Sequence, residues 1–152
     1  MKKIILSLLV VSMITSCSNN SPNDPGGIWV FKQVNYLGSK CVGSKTAFNL
    51  VATGASSANV ASTVTVNFYN ALPNINGSYT IAGSSNPSQQ SQVGIVATVG
   101  TSTYTSTYQN TDTVYATISG STIALSGSGI ILKNNSNPSD SSTLYINLNQ
   151  TQ

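Results

Sequence analysis

The sequence predicts an all-β domain, built as an antiparallel β-sandwich or a small closed barrel of about seven to nine strands. Three observations carry that expectation. No stretch of the 152 residues holds a helical period, whereas alternation of apolar and polar side chains with a period of two recurs along most of the chain. Ser, Thr and Asn are abundant and Val and Ile lead the apolar residues, a mixture that suits a pleated, half-buried surface. Charged residues make up only 6% of the chain, against about 25% in an average globular protein.

In chain order, residues 1–16 form a leader. Lys2 and Lys3 precede the apolar run from Ile4 to Val11, a positive segment followed by a hydrophobic one too short to span a bilayer. Residues 17–27 are a tether of Ser, Asn, Pro, Asp and Gly after Cys17, a composition that resists packing. A single β domain is expected over 28–152. Its first strand is expected over 28–36, with Trp29 and Phe31. A weaker strand over 47–53 places Phe48, Leu50 and Ala52 on one face. Residues 63–69 turn Val64, Val66 and Phe68 inward and Thr65, Asn67 and Tyr69 outward. Residues 71–77 read as a turn, 78–82 as a short strand and 83–90 as a polar loop. The last strand, 143–149, turns Leu144, Ile146 and Leu148 inward.

Residues 92–127 permit a register argument. With Gly100-Thr101 as a two-residue hairpin turn, glycine first, Val99 faces Ser102, Ala97 faces Tyr104, Ile95 faces Ser106 and Val93 faces Tyr108. A connection at 108–110 sets Thr105 opposite Thr113 and Tyr104 opposite Val114. A turn at Gly120-Ser121 sets Ile118 opposite Ile123 and Ala116 opposite Leu125. The three turns together place Val93, Ile95, Ala97, Tyr104, Val114, Ala116, Ile118, Ile123 and Leu125 on one face. Val96, Thr98, Thr103, Thr105, Thr107, Thr113, Tyr115, Thr117, Thr122 and Ser126 fall on the other. A slip by one residue would mix the two sets. The expectation is a four-stranded meander with a core face and a hydroxyl-rich outer face. Ser126-Gly127-Ser128-Gly129 is expected to kink or bulge the strand before Ile130.

The inventory excludes several chemistries. There are six lysines and three aspartates, with no Arg, Glu or His, so no His-based triad and no His/Cys zinc site is available. With Lys2 and Lys3 in the leader, Lys32, Lys40, Lys45 and Lys133 stand against Asp24, Asp112 and Asp140. That balance offers no basic stretch for nucleic acid. A carboxylate pair for hydrolysis would need Asp112 and Asp140 in one cleft. Asp112 flanks an expected loop, and Asp140 ends an Asn- and Ser-rich segment that reads as a solvated turn. Ser39-Lys40 and Ser44-Lys45 are adjacent pairs, and adjacency does not supply the geometry of a catalytic dyad. One Asp among Asn neighbours is too few oxygens for a calcium site. The domain is expected to be non-enzymatic, with no metal and no cofactor. Cys41 reads as a small buried residue near a strand end.

Ile14-Thr15-Ser16-Cys17 resembles the lipobox of bacterial lipoproteins. The resemblance implies cleavage before Cys17, a diacylglyceryl thioether on its sulfur and an acylated amino terminus. Several acyl chains anchor strongly, at about 0.8 kcal/mol per buried methylene. Ser18 after the cysteine implies the outer membrane by the sorting rule of Gram-negative lipoproteins. The lipobox, Trp29, Gly77-Ser78-Tyr79-Thr80-Ile81 and the segment 118–131 together resemble small lipoproteins of Bacteroidota that carry a leader, a short tether and one Thr/Ser-rich β domain. That resemblance implies a place in the cell envelope and no activity. Asp112-Thr113-Val114 resembles the acceptor motif of O-glycosylation in the same group, which implies a glycan on Thr113. Gly27-Ile28-Trp29 is similar to the Gly-x-Trp that opens lipocalin barrels.

The functional expectation is a lipid-anchored envelope protein that contacts glycan or a protein partner. Thr103, Thr105, Thr107, Thr113, Tyr115 and Thr117 form the expected contact face. The alternative is a lipocalin-like carrier of a small apolar ligand, which requires a hollow interior. A flat Thr array also suits ordered water, but the strict short repeat of ice-binding surfaces is missing.

Overall fold

Ten strands hydrogen-bond into one sheet that closes on itself in a computed structural model that describes residues 26–150, and only the backbone for residues 109–112. The leader, Cys17 and residues 18–25 of the tether lie outside the described residues, as does the side chain of Asp112. The strands are β1 (Ile28–Phe31), β2 (Val34–Ser44), β3 (Asn49–Ser56), β4 (Ala61–Phe68), β5 (Gly77–Ile81), β6 (Gln92–Val99), β7 (Ser102–Ser106), β8 (Gln109–Ser119), β9 (Thr122–Asn134) and β10 (Ser141–Asn149). All neighbours are antiparallel except β5 and β6. The fold is therefore all-β, as the alternation predicts, with ten strands instead of seven to nine.

The ring runs β10-β1-β2-β3-β4-β6 and then forks. Along one half of β6, residues 96–99 pair with β7, which pairs in turn with residues 132–134 of β9. Along the other half, β5 lies parallel to residues 92–93, and β8 fills the space between β5 and the first half of β9. The hydroxyl of Ser106, 2% exposed, stitches the fork. It donates to the Ala82 carbonyl at 2.9 Å and accepts from the Ile95 amide at 3.1 Å. β9 then pairs with β10 along its length, and β10 with β1. Among the described residues, no strand is left with a wholly unpaired edge, the hazard that open sheets must blunt.

Two sequence expectations are corrected here. The expected strand 28–36 is two strands joined by a two-residue turn at Lys32 and Gln33, with φ of 52° and 62°. A continuous strand would send Trp29 and Tyr36 to opposite faces, because side chains alternate. The turn restores parity: Trp29 pairs with Tyr36, and the two buried rings stack at 5.8 Å and 10°. The expected meander is also two separate hairpins. The turn at Gly100-Thr101 is present, with Gly100 at φ 56° and Val99, Thr98 and Ala97 opposite Ser102, Thr103 and Tyr104. The turn at Gly120-Ser121 is present too, with Ile118 opposite Ile123 and Ala116 opposite Leu125. However, β7 does not pair with β8. It ends at Ser106, Tyr108 is exposed rather than facing Val93, and Val114 faces Tyr79 of β5 instead of Tyr104. The physical reason is that parity decides which face a residue takes, while several strands of equal parity compete as neighbours. The short alternating segment of β5 satisfies β8 as well as β7 does.

The face assignments survive the change of partner. Val93, Ile95, Ala97, Tyr104, Val114, Ala116, Ile123 and Leu125 are buried, and Ile118 is partly buried against them. Leu50, Ala52, Val64, Val66, Phe68, Leu144, Ile146 and Leu148 join them. Phe48 does not: it sits at φ 51° in the turn before β3. Trp29, Phe31 and Tyr104 add aromatic bulk, with Phe31 and Tyr104 edge to face at 4.9 Å. Each large side chain so buried contributes about 1.5–3 kcal/mol. The expected kink appears as a β-bulge: Ile146 pairs with Gly127 and Leu144 with Ile130, so Ser128 and Gly129 together oppose Tyr145. Gly129 takes φ 75° there, a conformation only glycine adopts without strain. Gly26 and Gly27, tether residues by composition, are buried and bonded to Gly38 of β2.

Candidate functional site

The expected contact face maps onto the outer wall of the ring in two separate groups, because β7 and β8 are not neighbours. Thr103, Thr105 and Thr107 lie at the β7 end of the fork. Their polar groups are engaged: the Thr105 hydroxyl donates to Asn135 Oδ1 at 2.9 Å, that of Thr107 donates to the Ile131 carbonyl at 3.3 Å, and the Thr103 carbonyl accepts from the Asn135 amide at 2.9 Å. This group braces β7 against β9 and the loop that follows it.

Thr113, Tyr115 and Thr117 are exposed on β8 and face a different environment. Together with Ala124, Ser126 and Ser128 of β9 and Asn147 and Asn149 of β10 they line an open groove of about 650 Å³. Register explains the shape. Tyr115, Ser126 and Asn147 form one cross-strand row, and Thr117, Ala124 and Asn149 the next. The central strand carries the smallest side chains, so the outer strands rise above it as walls. The bulge at Ser128-Gly129 bends β9 beside the same floor. Tyr115, 44% exposed, is the aromatic side chain of the lining, and Tyr145, 48% exposed, stands on the same outer face of β10 two residues before Asn147, outside the groove.

Among the described residues, no charged side chain lines the groove. Its chemistry is hydroxyl, carboxamide and phenol around a floor of the small side chains Ala124, Ser126 and Ser128. Such a surface donates and accepts hydrogen bonds without a counter-ion, and the phenol ring offers a flat face for stacking. Asn147 and Asn149 lie outside the face the sequence predicts, because alternation alone does not set β10 beside β9. The alternation that turns Leu144, Ile146 and Leu148 inward turns these two outward, and that is their signal in the sequence.

The remaining sequence candidates are placed as follows. Asp140 lies at the far end of the barrel, in the β9–β10 turn. It accepts from the Lys32 ammonium at 2.8 Å, the Tyr104 hydroxyl at 3.0 Å and Asn134 Nδ2 at 3.2 Å. These donors, Lys32 foremost, hold its carboxyl below the usual carboxylate range. Thr113, the expected O-glycan acceptor, is exposed at the groove margin opposite Thr80 of β5. Cys41 is wholly buried on β2 opposite Ala52, and burial pushes its thiol up to about 11. Trp29 is 1% exposed and its indole N–H donates to Ser62 Oγ at 3.0 Å.

Lys45 is exposed in the turn after β2, at the opposite end of the barrel from Asp140, and Lys40 is exposed near the middle of β2. Comparison of the chain with protein-family models, with curated proteins and with solved structures finds no match.

Proposed function

We propose that this chain is a lipid-anchored, non-enzymatic module of the cell envelope, held in the outer membrane through Cys17, that contacts an uncharged glycan along the β8–β9–β10 groove. The observation that carries this reading is the groove itself: Tyr115 borders a floor of Ser126 and Ser128 with the carboxamides of Asn147 and Asn149 beside it, and no charged side chain among the described residues lines it. A sugar ring presents an apolar face for stacking and equatorial hydroxyls for hydrogen bonds, and this surface supplies both complements. A glycan rich in carboxylates or sulfates would meet no counter-charge here.

Two further observations favour contact over the alternatives. The interior is filled by Trp29, Phe31, Tyr104 and the aliphatic residues around them, which leaves a lipocalin-like carrier little room for an apolar ligand. Asp140 is occupied by three donors in a structural turn, which suits an anchor of the fold better than an acid or base. An O-glycan on Thr113 would stand at one margin of the groove, and the intact mass of the native protein reports whether it is there.

The test is retention of the full acylated chain on immobilised neutral and acidic polysaccharides. Tyr115→Ala should weaken retention on a neutral polysaccharide about tenfold, and Ser126→Arg, which raises the floor, should abolish it. Unchanged near-ultraviolet circular dichroism shows that the variants keep the fold. Equal retention of wild type and both variants would remove this face as the site.

A further inference from the structure

We propose that the barrel end built from the β2–β3 turn, the β4–β5 loop and the β8–β9 turn lies against the lipid surface, so that the Lys32–Asp140 end points away from the membrane. This rests on the reading of Cys17 as the lipid anchor and adds an orientation that an anchor alone does not impose.

Three observations converge on that end. First, it is apolar where it meets solvent. Phe48, Leu72, Pro73, Ile118 and Ile123 line a shallow depression of about 450 Å³ between the turns. Ile75, in the loop beside it, is 71% exposed, the most exposed of the large apolar side chains described. Tyr69, where β4 runs into that loop, is 37% exposed. An isoleucine and a tyrosine at a loop end are the side chains that settle into the interface of a bilayer.

Second, the charge at this end has one sign. Lys45 stands at the rim of the depression, Lys40 is exposed near the middle of β2, and Lys133 is exposed near the other end. Among the described side chains the carboxylate of Asp140 is at the opposite end, paired with Lys32. Lysines at a lipid surface are drawn to anionic headgroups, and this attraction is screened within about 10 Å at moderate salt. Docking end-on brings Lys45 inside that range.

Third, the chain leads there. The amide of Gly26 donates to the Gly38 carbonyl at 3.1 Å at the middle of β2, and the chain enters β1 with Gly27 against Leu148 and Ile28 opposite Asn147, near the end of β10 that reaches this end. Cys17 lies nine residues earlier, a reach of at most about 30 Å when extended. That length permits many orientations of the domain, so the apolar and basic end is what selects one of them. The lateral groove opens on the side of the barrel, with Thr117, Ala124 and Asn149 at its margin nearest this end and Thr113 and Ser128 farther from the lipid.

The experiment uses the full acylated chain in vesicles of phosphatidylethanolamine and phosphatidylglycerol. A fluorophore is attached at Asn74→Cys, beside Ile75, or at Ser57→Cys, an exposed position in the β3–β4 turn at the other end. Cys17 is consumed by the anchor and Cys41 is buried, so labelling is confined to the introduced thiol. A nitroxide carried on a lipid should quench the label at position 74 at least about twofold more than that at 57. Adding Ile75→Asp with Lys45→Glu should erase the difference. Equal quenching at both positions in a vesicle-bound, acylated chain overturns the orientation and leaves the anchor standing. A chain whose intact mass carries no acyl groups overturns both.

Discussion

The Lys32 ammonium donates to both carboxylate oxygens of Asp140, at 2.8 and 2.9 Å, across 108 residues of sequence. The pair joins the β1–β2 turn to the β9–β10 turn and covers the ring of Tyr104, with the ammonium 4.7 Å from its centroid. Tyr104 in turn packs edge to face on Phe31, the last residue of β1. A turn of two left-handed residues is thereby clamped to the strand that closes the ring.

This clamp gives a signed pH dependence. Asp140 is held below its ordinary 3.8, by Lys32 first and then by Asn134 and Tyr104. Its contribution is present above that ordinary value and is lost as pH falls through the depressed folded value. Lys32 is held above its ordinary 10.5 by its bonds to Asp140 and Tyr104, so its contribution is complete below 10.5 and fades as pH rises through the folded value. Urea midpoints of wild type and Asp140→Asn should differ by a constant amount between those limits and converge outside them. The difference will be small, because both side chains are about one third exposed. A gap that widens on acidification would contradict the assignment.

The turn itself carries strain that can be relieved. Lys32 and Gln33 occupy the left-handed region, and neither is a residue that favours it. Gln33→Gly should stabilise the domain by about 0.5–1 kcal/mol, after the added freedom of the unfolded chain is deducted. Thermal or urea unfolding reads this directly, and a loss of stability would mean that the Gln33 side chain contributes more than its backbone costs.

Ser62→Ala probes the buried indole. The Trp29 N–H has Ser62 Oγ as its partner at 3.0 Å in a site closed to solvent. Removing the acceptor should cost about 1–3 kcal/mol, the penalty of a buried donor left unmade. Tryptophan fluorescence should keep the blue-shifted emission of a buried ring in the folded variant. An unchanged denaturation midpoint would show that another acceptor replaces the hydroxyl.

Cys41 should behave as a core residue. With no exposed surface and its thiol pushed up to about 11 by burial, it should resist iodoacetamide at pH 8 in the folded protein and react once denaturant unfolds it. Rapid alkylation under native conditions would place β2 differently from the pairing described.

Period-two alternation made the two faces of nearly every strand legible, from Val64-Val66-Phe68 to Leu144-Ile146-Leu148, because solvent and core impose it residue by residue. It also located the bulge, since Ser-Gly-Ser-Gly has no side chain to hold a flat ladder. The order of strands around the ring was not legible. Tyr104 and Val114 point inward whether β8 lies beside β7 or beside β5, so face assignment carries no information about the neighbour. The turn at Lys32-Gln33 lacked glycine or asparagine, and its trace in the sequence was the parity break between Phe31 and Tyr36. The groove is partly legible: alternation puts Thr113, Tyr115 and Thr117 on one face of β8, but it also joins to them Thr103, Thr105 and Thr107, which lie elsewhere, and Asn147 and Asn149 depend on the unpredicted pairing of β9 with β10.

Hydroxyl-radical footprinting of the acylated chain, with and without a saturating neutral envelope polysaccharide, tests the central claim most directly. Four tyrosines are exposed, Tyr69, Tyr108, Tyr115 and Tyr145, and each reports its own surroundings. Protection of Tyr115, with Tyr69 and Tyr108 unchanged, is the predicted result. Protection of Tyr69 or Tyr108 instead, or of none of the four while the polysaccharide is bound, would contradict the assignment of the β8–β9–β10 groove.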